Sequence, residues 1–355
     1  MENQPCYVPP LPGATRYISI NRDKGKIKQK AKLEITLQGN GSEAQDTATL
    51  KNRAKKKLIT QTLIKNLVDM AIHKGDLDMV KPYWRTYHCQ SRVISSGGRL
   101  YGKYCKNRFC NVCSGIRKAD TINRYLPEIK TWEDPHFVTL TAKAVSIKTL
   151  GKRVAKMIQA FGIIKDRYKK RDQRGTGQRL IGVRSLECNY NPVAHTYNPH
   201  FHVIVATRQM AEMLIMDWLE LFTKKFTNPY AQNMRKVEDT ERDLIEIVKY
   251  GTKIFTDPTM AKKSKVTPFI YVSAYHNIIC AMKDHRIFNR FGFNLPKTII
   301  VKGGKATKVT DWAELVFDPK ENDWIDPETE QLLSGYVPSS KLMAILENNI
   351  DTCLE

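Results

Sequence analysis

Apolar positions recur at helical spacing from Thr47 to His73, where Leu50, Ala54, Leu58, Leu63, Leu67 and Ala71 share one side and lysines and arginines crowd the other. This predicts a basic amphipathic helix. Further on the period changes. The stretches "HFVTLTAKAV" from His136, "GQRLIGVRSLECNY" from Gly177 and "HFHVIVAT" from His200 are rich in β-branched residues and read as strands. The second and third are joined by a polar loop with Asn and Pro, which predicts a long hairpin. "LGKRVAKMIQAFGIIKDRYKK" from Leu150, "MAEMLIMDWLELFTKKF" from Met210 and "ERDLIEIVKYGTKIF" from Glu241 carry the helical repeat. The order strand, helix, strand, strand, helix, helix predicts an α+β fold, an antiparallel sheet covered by helices.

A chain of 355 residues can bury a substantial core and divides into several units. Composition and pattern suggest a flexible basic arm (1–46), a basic helical region (47–82), a Cys-rich module (83–125), the α+β core (126–260), a basic C-terminal part of the core or accessory segment (261–309) and an acidic tail (310–355). The formal charge is +22, yet the last 46 residues hold eleven carboxylates against Lys320 and Lys341, so the first 309 residues carry +31. Such an excess points to an anionic polymer, with nucleic acid ahead of a membrane surface. "MENQPCYVPPLPGATR" has no apolar leader, and no segment is apolar enough for a bilayer, which leads us to expect a cytoplasmic protein.

Eight cysteines in such a chain argue for thiols or metal ligands over disulfides. Four cluster as Cys89, Cys105, Cys110 and Cys113, a C-x15-C-x4-C-x2-C pattern that fits a tetrahedral structural zinc, with His88 an alternative to Cys89. Arg108, Lys106, Arg117 and Lys118 lie among them and suit DNA phosphates. Cys6, Cys188, Cys280 and Cys353 read as ordinary packing or surface residues.

His200 and His202, two apart on a strand, point the same way. Alone they fit satisfied structural histidines or a metal site. If the hairpin turns near Ala194, Glu187 comes close to one of them, completing three donors with open positions for a catalytic divalent ion. On the helix after Glu241, Glu246, Lys249, Tyr250 and Lys253 share one arc, opposite Leu244, Ile247 and Val248.

"FVTLT", "PHFHVIV" and "EIVKYGTK", in this order, resemble the three motifs of single-tyrosine HUH endonucleases, specifically the rolling-circle replication initiators (Rep proteins) of small plasmids. The cysteine cluster is similar to that of some members, and the resemblance spans about Cys89 to Lys253. It implies a ferredoxin-like or RRM-like nuclease core over 126–260, His200 and His202 as ligands of Mg2+ or Mn2+, and Tyr250 as nucleophile. Glu246 matches the glutamate that activates water during termination in one branch. Asn198 stands where many relatives have another histidine. The implied partners are single-stranded or cruciform origin DNA and the host helicase and polymerase. The alternatives are an HUH transposase or relaxase, and a non-catalytic zinc-dependent DNA-binding regulator.

Overall fold

The computed structural model describes residues 34–37, 41–43, 46–248, 269–296 and 307–352. The elements run β1 (Ile35–Leu37), β2 (Ser42–Glu43), α1 (Thr47–His73), α2 (Leu77–Tyr87), β3 (Arg92–Ser96), β4 (Arg99–Gly102), α3 (Asn111–Ile129), β5 (His136–Thr141), α4 (Ile147–Gln173), β6 (Gly182–Asn191), β7 (Thr196–Val205), α5 (Arg208–Phe226), β8 (Asn233–Lys236) and α6 (Thr240–Ile247). They continue β9 (Ile270–Tyr271), α7 (Val272–Met282), β10 (Phe288–Phe291), β11 (Thr307–Val309), β12 (Ala313–Asp318), β13 (Asp323–Ile325), α8 (Ser340–Asn348) and β14 (Ile350–Asp351). The fold is mixed α+β, with antiparallel sheets and packed helices.

The larger sheet has the order β10-β6-β7-β5-β8, and every pairing in it is antiparallel. From β5 to β8 the chain runs β-α-β-β-α-β. The fourth strand of that unit, β8, escapes sequence reading. "NMRK" is a short edge strand without a buried side chain, so it carries no alternation of apolar and polar residues. One sheet face is apolar. Phe201 is fully buried there, its ring 5.3 Å from Phe161 of α4 and 5.8 Å from Trp218 of α5. The Trp218 indole N–H donates to the Thr141 carbonyl at 2.8 Å, tying α5 to the end of β5.

A second layer of structure precedes and follows this core in sequence. Helix α1 starts at the Asp46 cap, whose carboxylate accepts from the Ala48 amide. Leu63, Leu67, Tyr83, Tyr275, Leu342 and Ile345 pack α1, α2, α7 and α8 together. The cationic face expected for α1 is interrupted at Lys57, which is buried and donates to the carbonyls of Tyr87 (2.6 Å) and Cys89 (2.7 Å) and to Ser91 Oγ (3.1 Å). Burial pulls its ammonium down to about 8, against the opposing pull of the nearby cysteines.

The segment expected as an acidic tail is folded. Strand β12 pairs antiparallel with β3 in a sheet of order β13-β12-β3-β4-β2, and Leu315, Phe317 and Trp324 share a core with Leu50, Val93 and Leu100. Asp323, fully buried, accepts from the amides of Trp324, Ser334 and Gly335 and from the Ser334 hydroxyl. The surplus of carboxylates hides the alternation of "AELVF", in which Leu315 and Phe317 turn inward. Most of the N-terminal arm, and 261–268 and 297–306 of the basic segment after the core, lie outside the described residues; among the described ones, β1 pairs with β11.

Ending the chain after Val309 removes β12, β13, α8 and β14. Each large apolar side chain lost from a core costs about 2–5 kcal/mol, and whole domains are stable by only about 5–15 kcal/mol. The truncated protein should melt well below the full chain and be cut rapidly by protease in α1 and β3. Calorimetry and limited proteolysis check this; an unchanged melting temperature would contradict the packing described.

Candidate functional site

The polar face of the large sheet, opposite Phe201, carries the two histidines. Pairing of β6 with β7 sets Glu187 directly across from His200 and Ser185 across from His202, while β5 on the other side sets Thr141 and Thr139 against the same two residues. Glu187 Oε2 lies 3.9 Å from His200 Nε2 and 3.7 Å from His202 Nε2. The imidazole rings are 4.8 Å apart and nearly perpendicular. One ligand atom from each of the three residues falls within 4.8 Å of the others.

The orientation of both rings is held from behind. His200 Nδ1 donates to the Asn198 carbonyl at 3.0 Å, and His202 Nδ1 lies 3.2 Å from Thr139 Oγ1. Both rings therefore present Nε2 toward the carboxylate. A backbone or hydroxyl partner on the far nitrogen is the usual support of a metal-bound imidazole. Asn198 thus serves this face through its main chain. Two nitrogens and one carboxylate, all largely buried, fit a divalent cation by their donor chemistry.

Helix α6 is docked beside this face by Leu244, Ile247 and Val248, which join the core that includes Phe137. A two-pronged ion pair between Arg235 of β8 and Asp243, one prong 2.7 Å long, fixes its entry, with the guanidinium stacked on Phe137. Glu246 is half-buried on α6. Lys249, Tyr250 and Lys253 lie outside the described residues.

The four cysteines form a second cluster. Cys89 Sγ is 3.5 Å and Cys105 Sγ 3.6 Å from Cys113 Sγ, and all four sulfurs fall within 4.8 Å of one another. A zinc tetrahedron with bonds of about 2.3 Å has sulfur-to-sulfur edges of about 3.8 Å. Cys110 caps α3, its sulfur accepting from the Cys113 amide at 3.5 Å, and the Cys105 amide donates to Cys89 Sγ at 3.4 Å. Contacts from Cys110, Cys113 and Cys89 hold the Cys105 thiol well below the ordinary cysteine range. His88 instead stacks on Trp84.

The basic residues expected to meet DNA are partly engaged within the protein. Arg108 donates to the Met282 carbonyl at 3.2 Å and Arg117 to the Lys106 carbonyl at 2.7 Å. Lys106 is exposed and Lys118 half-buried. Lys106 and Arg108 also border a largely apolar cavity of about 290 Å³ that reaches Glu187 between α7 and β6. Sequence reasoning missed this cavity, because α7 is brought to β6 only by the tertiary fold. It also missed Asp76 and His276, which meet Cys280.

Comparison with known proteins adds the family. A family described as Replication protein (Rep_1) matches residues 99–298. The chain is 30% identical over 166 residues to "Protein rep" of Staphylococcus aureus, covering 42% of this chain and 69% of that protein. It is 32% identical over 118 residues to "Protein rep" of Streptococcus pneumoniae serotype 2 (strain D39 / NCTC 7466), covering 31% of this chain and 35% of that one. No solved structure matches significantly.

Replacing Cys110 removes both a sulfur of the cluster and the cap of α3. Cys110→Ser should release about one tightly held metal ion per chain and lower the melting temperature. Elemental analysis of the folded variant checks this, and an unchanged metal content would leave the cluster as four free thiols.

Proposed function

The chain belongs to the Rep_1 family of replication proteins, and from that premise we propose that it starts rolling-circle replication of a small plasmid by nicking one strand at the origin. Membership implies DNA binding, and the +31 carried by the first 309 residues suits a polyanion whose counterions are released on contact. The observation that carries the nicking chemistry is the pairing of Glu187 with His200 and the placing of His202 on the same face, three ligand atoms within 4.8 Å. The β-α-β-β-α-β order with strands arranged β6-β7-β5-β8 supports a ferredoxin-like HUH nuclease core.

In this reading His200, His202 and Glu187 hold Mg2+ or Mn2+, and Cys89, Cys105, Cys110 and Cys113 hold a structural Zn2+. The divalent ion supplies Lewis-acid polarisation of the scissile phosphate. A phenol with an ordinary pKa near 10 is a weak nucleophile at neutral pH, so Lys249 and Lys253 stabilise the developing phenolate and phosphate charge. The Tyr250 oxygen attacks phosphorus and the bond to the 3′ oxygen breaks. The products are a 5′-phosphotyrosine and a 3′-OH that primes the host polymerase behind a host helicase in the cytoplasm. At termination Glu246 takes a proton from water, whose oxygen displaces the tyrosine. Arg108, Lys106, Arg117 and Lys118 line the DNA beside the zinc-binding module (83–125), next to the nuclease core (126–260). Among the described residues no helix is long and apolar enough to cross a membrane.

Tyr250→Phe removes only the attacking oxygen. It should bind origin DNA as the parent does yet give neither nick nor covalent adduct with single-stranded origin DNA and Mn2+. Glu246→Ala should still cleave, with the adduct persisting about 10²–10⁴-fold longer. Denaturing gels of labelled DNA separate the two outcomes. A Tyr250→Phe protein that still forms the adduct at the parental rate refutes the assignment of the nucleophile. A Glu246→Ala protein that loses the first cleavage as completely as Tyr250→Phe refutes the assignment to termination.

A further inference from the structure

The turn between α1 and α2 and the middle of α7 bring together three side chains that the nicking chemistry does not use. His276 is fully buried in α7, and its Nε2 faces Asp76 Oδ2 at 2.7 Å and Cys280 Sγ at 3.5 Å. Its Nδ1 meets the Tyr83 hydroxyl at 2.9 Å. His276 and Cys280 stand four apart on one helix, which sets them on one face. Asp76 occupies the N-cap of α2 without bonding the helix amides, so its carboxylate is turned to the histidine instead.

We propose that Asp76, His276 and Cys280 form a transition-metal site, best suited to Zn2+, separate from the four-cysteine cluster and from the histidine pair on the sheet.

The geometry discriminates between two chemistries. A nucleophilic triad needs the thiol and the acid on opposite nitrogens of the imidazole, so that one ring nitrogen takes the thiol proton while the other is held by the acid. Here both converge on Nε2, which rules that arrangement out. For a metal, convergence on one nitrogen is what is required. The three ligand atoms lie within 4.8 Å of one another, and thiolate, imidazole and carboxylate are all zinc donors.

With zinc bonds of about 2.0–2.3 Å, nitrogen sits about 3.3 Å from oxygen and about 3.6 Å from sulfur across a tetrahedron. The nitrogen-to-sulfur distance already matches, and the Asp76 contact opens by about 0.6 Å as the ion enters. The thiol proton leaves to solvent, and the single ring proton moves from Nε2 to Nδ1 as Nε2 becomes a ligand. Tyr83 then accepts from Nδ1–H as the outer support of the ring. Asp76 is 45% exposed and borders a cavity of about 630 Å³ with Lys74, Ser273 and Asn277, so a water reaches the fourth position. The ion ties the α1–α2 turn to α7, two elements 200 residues apart in the chain.

The test uses the full chain, reduced, equilibrated with buffered Zn2+ and desalted. Cys280→Ser and Asp76→Asn should each bind about one zinc fewer than the parent by elemental analysis. Titration with Co2+ should show that Cys280→Ser loses the thiolate-to-cobalt band of a one-thiolate site and keeps that of the four-cysteine site. Zn2+ should raise the melting temperature less in both variants. Asp76→Asn, at a half-exposed position, carries the test if Cys280→Ser fails to fold. Parental zinc content in folded Asp76→Asn, or a parental cobalt spectrum in folded Cys280→Ser, overturns the proposal.

Discussion

The burial of Phe201 decides which way the two histidines face. Strand side chains alternate, so a one-residue slip of β7 would move His200 and His202 into the apolar side and Phe201 out of it. Phe201 lies between Phe161 and Trp218 with no exposure to water, and full burial of such a ring stabilises by about 1.5–3 kcal/mol. That packing holds the register on both sides of β7. The register then brings Glu187 across from His200 and Thr139 behind His202, so a polar site of three donors follows from an apolar contact on the opposite face.

The rest of the chain is organised around this sheet by buried polar groups as much as by apolar ones. Lys57 reaches from α1 to the carbonyls of Tyr87 and Cys89, so the helix that looks like a solvated cationic rod is tied to the first residue of the cysteine cluster. Its ring neighbour is Phe317 of β12, which places the acidic C-terminal segment in the same assembly. Asp323 plays a comparable part inside that segment, where its carboxylate gathers the amides of the turn at Ser334 and Gly335. Loss of one partner from such a buried set leaves the others unsatisfied, which costs more than the bond itself contributes.

Local signals in the sequence were strong where one element decides its own pattern. The 27-residue repeat of α1, the β-branched runs of β5, β6 and β7, and the C-x2-C turn at Cys110 are of this kind. The hairpin alone brings Glu187 near the histidines, because a short connection at residues 192–195 limits the possible registers. Features that depend on distant partners were not legible. β8 has no buried side chain to mark it, β12 was hidden by the carboxylates around it, and Cys280 looked ordinary because Asp76 lies 200 residues from His276. Charge counting averages over a segment, whereas the fold responds to which positions alternate.

The nicking proposed above requires three donors of β6 and β7 to act together on one divalent ion. Diffraction from crystals of the full chain soaked in Mn2+, recorded at the manganese absorption edge, tests this most directly. One anomalous peak is expected within about 2.0–2.3 Å of His200 Nε2, His202 Nε2 and a Glu187 oxygen. Manganese bound elsewhere, with both histidines and Glu187 left in contact with protein groups alone, would contradict it.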